Sequence, residues 1–227
     1  MDNINRQLIS KVFSYATNDY NHRFGFDDEN QKNTRQLITA IDNQKTFLFK
    51  QGIRTGTRVW IDSNNVCFCY LATVIALCEL GTIFDLNAEL IIGNQIDLEE
   101  LYSFKSRDSV FTHQMRQRRV RKDTLLYDKK THYTVINTAR EWLPIYKGHV
   151  LIVTHPSIQK HIDTILLPLL ISNNVKQISA IGVNNIEQAK SKIEHLCQHI
   201  GATQIISYND YLPYLKISDE TKIFNYT

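Results

Sequence analysis

The chain has 227 residues, 43% of them hydrophobic and 22% charged, with only 4 prolines. That is the composition of a globular protein of one or two domains, and it excludes a disordered tail, a collagen-like chain and a disulfide-dense mini-protein. A formal charge of +3 is too small to imply a nucleic-acid partner by itself.

The first apolar pattern, Leu8, Ile9, Val12 and Phe13, has helical spacing. Polar Thr17 through Arg23 reads as a loop, and Asp27 through Asn30 as a solvated turn. Leu37, Ile38, Ile41, Phe47 and Leu48 then form the stripe of a helix lying on a core, ended at Gly52. Val59–Asp62 predicts a strand. Asn64 is placed to cap a following helix, Val66 through Leu80, whose nearly all-round apolarity predicts burial. Gly81 stops it, and Thr82–Leu86 is a second strand. This order gives the βαβ unit of a parallel sheet. Glu79 interrupts the apolar run Val66 to Leu86, so the run predicts buried helix plus strand rather than a membrane span.

Further on, Ala88–Ile92 predicts a strand and Leu98–Tyr102 a helical turn. Strands are expected at Thr124–Tyr127, Tyr133–Ile136, Val150–Val153, Val175–Ile181 and Ala202–Ser207. Helices are expected from Ile158 to Leu169, bent or ended by Pro168, and from Ile186 to His199. The expected organisation is a first α/β subdomain over 1–102, a basic connecting segment over 103–132 and a second α/β subdomain over 133–227, able to pack as one domain. Cys67, Cys69, Cys78 and Cys197 fit neither a disulfide framework nor a metal knuckle. They read as core-like thiols of a reducing, cytoplasmic compartment, and the N-terminus lacks the order of a secretory signal. The abundance of Ile, Asn, Lys and Tyr suits an AT-rich genome such as a virus's, an observation about codons only.

Residues 35 to 86 resemble the N-terminal region of the adenylate-forming superfamily, which holds the acyl-CoA synthetases and peptide-synthetase adenylation enzymes. The family's glycine turn, G-hydrophobic-x-x-G-D-R-V, is matched by Gly52-Ile53-Arg54-Thr55-Gly56-Thr57-Arg58-Val59. Its buried helix and following glycine are matched from Tyr70-Leu71-Ala72 to Glu79-Leu80-Gly81-Thr82-Ile83-Phe84. The match covers about a quarter of the chain and lies in scaffold. A further match, Ile200 to Ile206 with Tyr211-Leu212, resembles a later helix and strand of the family. The resemblance implies a three-layer α/β fold with mainly parallel sheets flanked by helices.

It also implies a phosphate loop, Y-T-S-G-T-T-G-x-P-K-G followed by T-H. The corresponding residues are Tyr133-Thr134-Val135-Ile136-Asn137-Thr138-Ala139, Leu143-Pro144, Lys147-Gly148 and Thr154-His155. By this resemblance Thr134, Thr138, Lys147 and His155 are the candidate nucleotide-binding residues. Ile136 and Ala139 replace both loop glycines, however, and Val135 replaces the serine. Phosphate cradles need glycines so that successive backbone N–H groups converge on oxygen, and β-branched Ile136 opposes that geometry. The family's later adenine, ribose and catalytic-lysine motifs do not occur in this sequence.

The expectation is therefore a catalytically inactive relative, with no catalytic residues and no cofactor, acting as a binding, assembly or structural module. Its partner would be another protein chain or a second copy, without a membrane. One alternative is half of a split ligase that activates a carboxylate with ATP and Mg. The other is a basic-patch nucleic-acid binder.

Arg116, Arg118, Arg119, Arg121 and Lys122 form the densest charge cluster, a candidate anion or partner surface. The plainer reading is a solvated basic loop flanking a sheet edge. His195 and His199 stand four apart on one helix, as a metal pair would, but no third ligand is evident and no metal is expected.

Overall fold

A computed structural model of the chain describes residues 23–26, 32–63, 67–108, 111, 120–121, 123–135, 137, 148–154, 175–182, 186–202, 204–208 and 222–226. The helices expected at 8–13 and 158–169 and the turn at 27–30 lie outside them.

Two sheets organise the fold. The first is five-stranded, in the order β5-β3-β4-β6-β7. Its members are β3 (Arg58–Ile61), β4 (Ile83–Phe84), β5 (Leu90–Ile92), β6 (Leu125–Tyr127) and β7 (Lys130–Thr131). The expected βαβ unit is present, with Arg58 opposite Ile83 and Val59 opposite Phe84 in parallel register. β5 and β6 extend it in parallel, and β7 closes one edge as an antiparallel hairpin partner.

The second sheet is six-stranded, in the order β11-β10-β8-β9-β1-β2. It combines β8 (Gly148–Thr154), β9 (Val175–Gly182), β10 (Gln204–Tyr208) and β11 (Lys222–Tyr226) with β1 (Arg23–Phe26) and β2 (Lys32–Asn33). Arg23 was expected in a loop and instead begins β1, which pairs in parallel with β9 from Arg23 opposite Gln177 to Phe26 opposite Ala180. β11 was not anticipated.

Helix α1 (Thr34–Lys50) begins at a capping box. The Asn33 side chain accepts the Gln36 N–H, and the Gln36 side chain accepts the Asn33 N–H, both at 2.9 Å. Such a cap contributes about 1 kcal/mol. The apolar stripe Leu37, Ile41, Phe47 and Leu48 is buried, as its spacing predicts.

Helix α2 (Phe68–Leu80) packs along α1 and is buried from Tyr70 through Cys78 and at Leu80. Each such Leu, Ile or Val removed from water contributes about 1.5–3 kcal/mol before chain entropy is set against it. The cap is Cys67, whose Sγ accepts the Tyr70 N–H at 3.4 Å, and not Asn64, which lies outside the described residues. Gly81 ends α2 in the left-handed region, with φ of 74°. A Cβ there would lie 3.0 Å from both Val120 methyls, so glycine is required by backbone and neighbour alike.

Helix α3 (Leu98–Ser103), capped by Asp97, adds buried Leu101 to the same core. Helix α4 (Ile186–Ile200) connects β9 to β10 and buries Ile193 and Cys197. The result is the expected α/β architecture, mostly parallel and flanked by helices. None of the described helices is long and apolar enough to cross a membrane.

The expected strand at Tyr133–Ile136 is not formed. The backbone is helical over 132–135, directly after β7. The Thr131 hydroxyl accepts the Thr134 N–H at 3.2 Å, the hydrogen bond by which a Thr side chain starts a helical turn. Local capping chemistry overrides the β-branched composition of the segment.

Candidate functional site

Among the residues that the sequence singles out as nucleotide-binding, only Thr134 is described; Thr138, Lys147 and His155 are not. Its exposed hydroxyl lies 3.1 Å from that of Thr131. Neighbouring Val135 is 1% exposed and belongs to the core, while Tyr133 points to solvent.

Within the basic cluster, Arg121 is described and Arg116, Arg118, Arg119 and Lys122 are not. Arg121 is exposed and makes a two-pronged contact with Asp123, at 3.1 and 3.0 Å. Val120 beside it is buried against Gly81. The end of the basic stretch is thus tied to the first sheet's core. On α4 the His195 and His199 rings stack with centroids 6.3 Å apart. Among the described residues no cluster of three or more metal-ligating side chains occurs.

The structure brings together a different group of residues. Between β2, α1, the start of α2 and the end of α3 lies a cleft of about 410 Å³. It is lined by Phe68, Cys69, Tyr102 and Phe104 and, from α1, by Thr39, Ala40 and Gln44. Lys32, Arg35 and Lys105 surround it, and no acidic side chain lines it. None of the three cations is ion-paired among the described residues.

Hydrogen bonds and ring contacts fix the walls. Asn43 Oδ1 accepts the Ser106 N–H at 3.1 Å, which ties the segment after α3 to α1. Phe104 packs on Phe47 with ring centroids 5.3 Å apart, and Lys50 lies over its ring at 5.7 Å. Gln44 is buried; its Nε2 donates to the Cys69 carbonyl at 3.2 Å, and its Oε1 accepts the Thr73 hydroxyl at 2.8 Å. Cations around the opening and an aromatic lining would favour a negatively charged over a positively charged ligand in this cleft.

Cys67 and Cys69 are both half-buried, with Cys67 packed against the core, so their reading as core-like holds in part. They occupy the cap and first turn of α2, where the helix emerges from the core, whereas Cys78 and Cys197 are buried. The Cys69 thiol beside it lowers the Cys67 pKa, helped by the Tyr70 N–H and opposed by burial. The Cys67 thiol in turn raises the Cys69 pKa, with burial adding to the effect. The pair therefore loses its first proton well below the ordinary thiol range and its second well above it. The Tyr102 hydroxyl lies buried near Thr73 and Ser63 without a well-formed hydrogen bond. Its pKa is raised, first by burial and then by the adjacent thiol charges. The sequence signals for this cleft are few, because Lys32, Cys69 and Lys105 are far apart in the chain.

No family model matches the sequence, and no curated protein matches it. Solved structures do resemble it in three dimensions. The N-terminal domain of FACL13 from Mycobacterium tuberculosis superposes with a TM-score of 0.65 at 11% identity, over 95% of this chain and 66% of that one. Coronafacic acid ligase from Pectobacterium brasiliense gives 0.66 at 12% identity, over 91% of this chain and 51% of the ligase. VinN in complex with L-aspartate gives 0.60 at 13% identity, over 92% and 64%.

The fold is that of the N-terminal domains of adenylate-forming enzymes. The chain spans 66% or less of the length of the solved structures named here.

Proposed function

We propose that this chain is a binding or assembly module that keeps the N-terminal fold of the adenylate-forming enzymes without their ATP-dependent chemistry. Its partner is another protein chain, and it uses neither ATP nor Mg as a cofactor.

The observation that supports this reading is the helical turn over 132–135, where the resemblance places the start of the phosphate loop. A phosphate cradle needs main-chain N–H groups turned together toward an anion. Here the Thr134 N–H is already engaged by the Thr131 hydroxyl, and Val135 occupies the core instead of supplying a hydroxyl. The residues that follow, Ile136 and Ala139, carry side chains where the family has glycine.

The test is ATP–pyrophosphate exchange by the purified full chain against a panel of carboxylic acids. No acid-dependent exchange is expected. Exchange that depends on one acid would instead establish an adenylating enzyme.

A further inference from the structure

The cleft beside α1 has a neighbour. A second opening, of about 620 Å³, is lined by Lys50, Phe104, Lys105, Arg107 and Asp108. The two share Phe104 and Lys105, so they meet at the segment that follows α3. We propose that this paired surface is where the chain receives its partner, and that it takes an extended acidic segment of that protein. The proposal rests on the reading of the chain as a protein-binding module and adds the chemistry of what it binds.

Charge is the first reason. Lys32, Arg35, Lys50, Lys105 and Arg107 line the two clefts, and Asp108 is the one carboxylate among them. The local excess of positive charge is larger than the formal +3 of the whole chain. None of the five cations is ion-paired among the described residues, and all except half-buried Lys32 are exposed. Asp108 is engaged locally, where its Oδ1 accepts the Phe111 N–H at 2.8 Å. The guanidinium groups of Arg35 and Arg107 suit carboxylates in particular, because two N–H groups can meet both oxygens at once.

Shape is the second. Gln36, Ala40, Asn43, Phe47 and Lys50 recur at three- and four-residue spacing, which puts them on one face of α1. The segment 104–108 is fastened to that face twice, by the Ser106 N–H on Asn43 Oδ1 and by Phe104 on Phe47. Lys50 is held over the rings of Phe104 and Phe111, at 5.7 and 5.8 Å. A surface fixed beforehand loses less freedom when a partner docks. Arg35 and Lys50 stand at the two ends of α1, about 22 Å apart along the helix, a distance that about seven extended residues span.

Two observations favour a peptide over other polyanions. Phe104 lines both clefts but is already engaged by Phe47 and Lys50, rather than offered as a platform on which bases stack. The exposed large hydrophobic residues among those described, Leu86, Leu125 and Tyr133, line neither cleft, so this basic surface lacks the apolar anchor of a membrane-binding face.

The probe is a fluorescein-labelled peptide of eight consecutive glutamates, titrated with the purified full chain at low salt and read by fluorescence anisotropy. Saturable binding is expected. Arg35→Glu in the first cleft and Arg107→Glu in the second are each expected to weaken it about fivefold. Arg121→Glu makes the same change of charge in the other basic stretch and is expected to leave binding unchanged. All three arginines are exposed, so the variants keep the fold, and circular dichroism checks this. An oligonucleotide of eight thymidines is expected to bind no more tightly than the peptide. Absence of saturable peptide binding, equal weakening by Arg121→Glu, or tighter binding of the oligonucleotide would overturn the proposal. Failure here without pyrophosphate exchange removes only this partner chemistry, whereas acid-dependent exchange removes the module reading itself, so the two failures are distinct.

Discussion

Replacing Lys45 by methionine is expected to destabilise the fold by about 3–5 kcal/mol, read as a lower urea midpoint at neutral pH. Lys45 lies on α1 facing α2, and its side chain is 3% exposed. Its ammonium contacts the Glu79 carboxylate, which is 14% exposed, and lies 3.6 Å from Asp42, which is 7% exposed. Methionine fills nearly the same volume, so little packing is lost. The cost comes from two carboxylates left within the α1–α2 interface without their cation. Lys45→Met/Glu79→Gln is therefore expected to recover much of the loss, because the charge most dependent on Lys45 is removed with it. Equal instability of the single and double variants would contradict this account.

Acid is expected to weaken the fold through His132. Its side chain is completely buried at the start of the helical turn after β7, and neither ring nitrogen has a hydrogen-bond partner among the described residues. Burial lowers its pKa from 6.5 to about 4. Above pH 6.5 the ring is neutral in folded and unfolded chains alike, and its titration contributes nothing to stability. Between 6.5 and 4 the unfolded chain takes up a proton that the folded chain refuses, so stability falls as pH falls. From neutral pH to about pH 5 the loss attributable to this residue is about 2 kcal/mol. His132→Leu should remove that part of the slope while keeping stability at neutral pH, since two unsatisfied buried nitrogens disappear with it. Urea midpoints at the two pH values, compared between native and variant chains, give the answer. An unchanged slope in the variant would assign the acid sensitivity elsewhere.

Much of the framework is legible in the sequence because it rests on local patterns. The stripe from Leu37 to Leu48, the apolar run into Gly81 and the β-branched strands around residues 150 and 178 announce themselves by period and composition. β1 does not. Arg-Phe-Gly-Phe is short and contains a glycine, and it becomes a strand only because β9 offers it an edge. Tyr133–Val135 misleads in the opposite sense: its residues favour a strand, yet the Thr131 hydroxyl starts a helical turn.

The candidate site is less visible for a related reason. Glu79 stands out as a charge within an apolar helix, but nothing local names Lys45, 34 positions earlier, as its partner. Cys67 and Cys69 look like core residues because their neighbours are apolar. Their half-exposed position follows from where α2 begins, which was shifted from Asn64 to Cys67. Lys32, Arg35 and Lys105 meet around one opening only after α1 and α3 have packed. The basic stretch ending at Lys122 is far more conspicuous in the sequence, yet Arg121, its described arginine, is engaged by Asp123.

The most direct measurement of the central claim is a calorimetric titration of the full chain with ATP in the presence of Mg²⁺. If the turn after β7 has replaced the phosphate cradle, no heat beyond dilution is expected. Saturable heat that disappears when Thr134 is changed to alanine would place a nucleotide at that turn and contradict the reading of this fold as a module without adenylating chemistry.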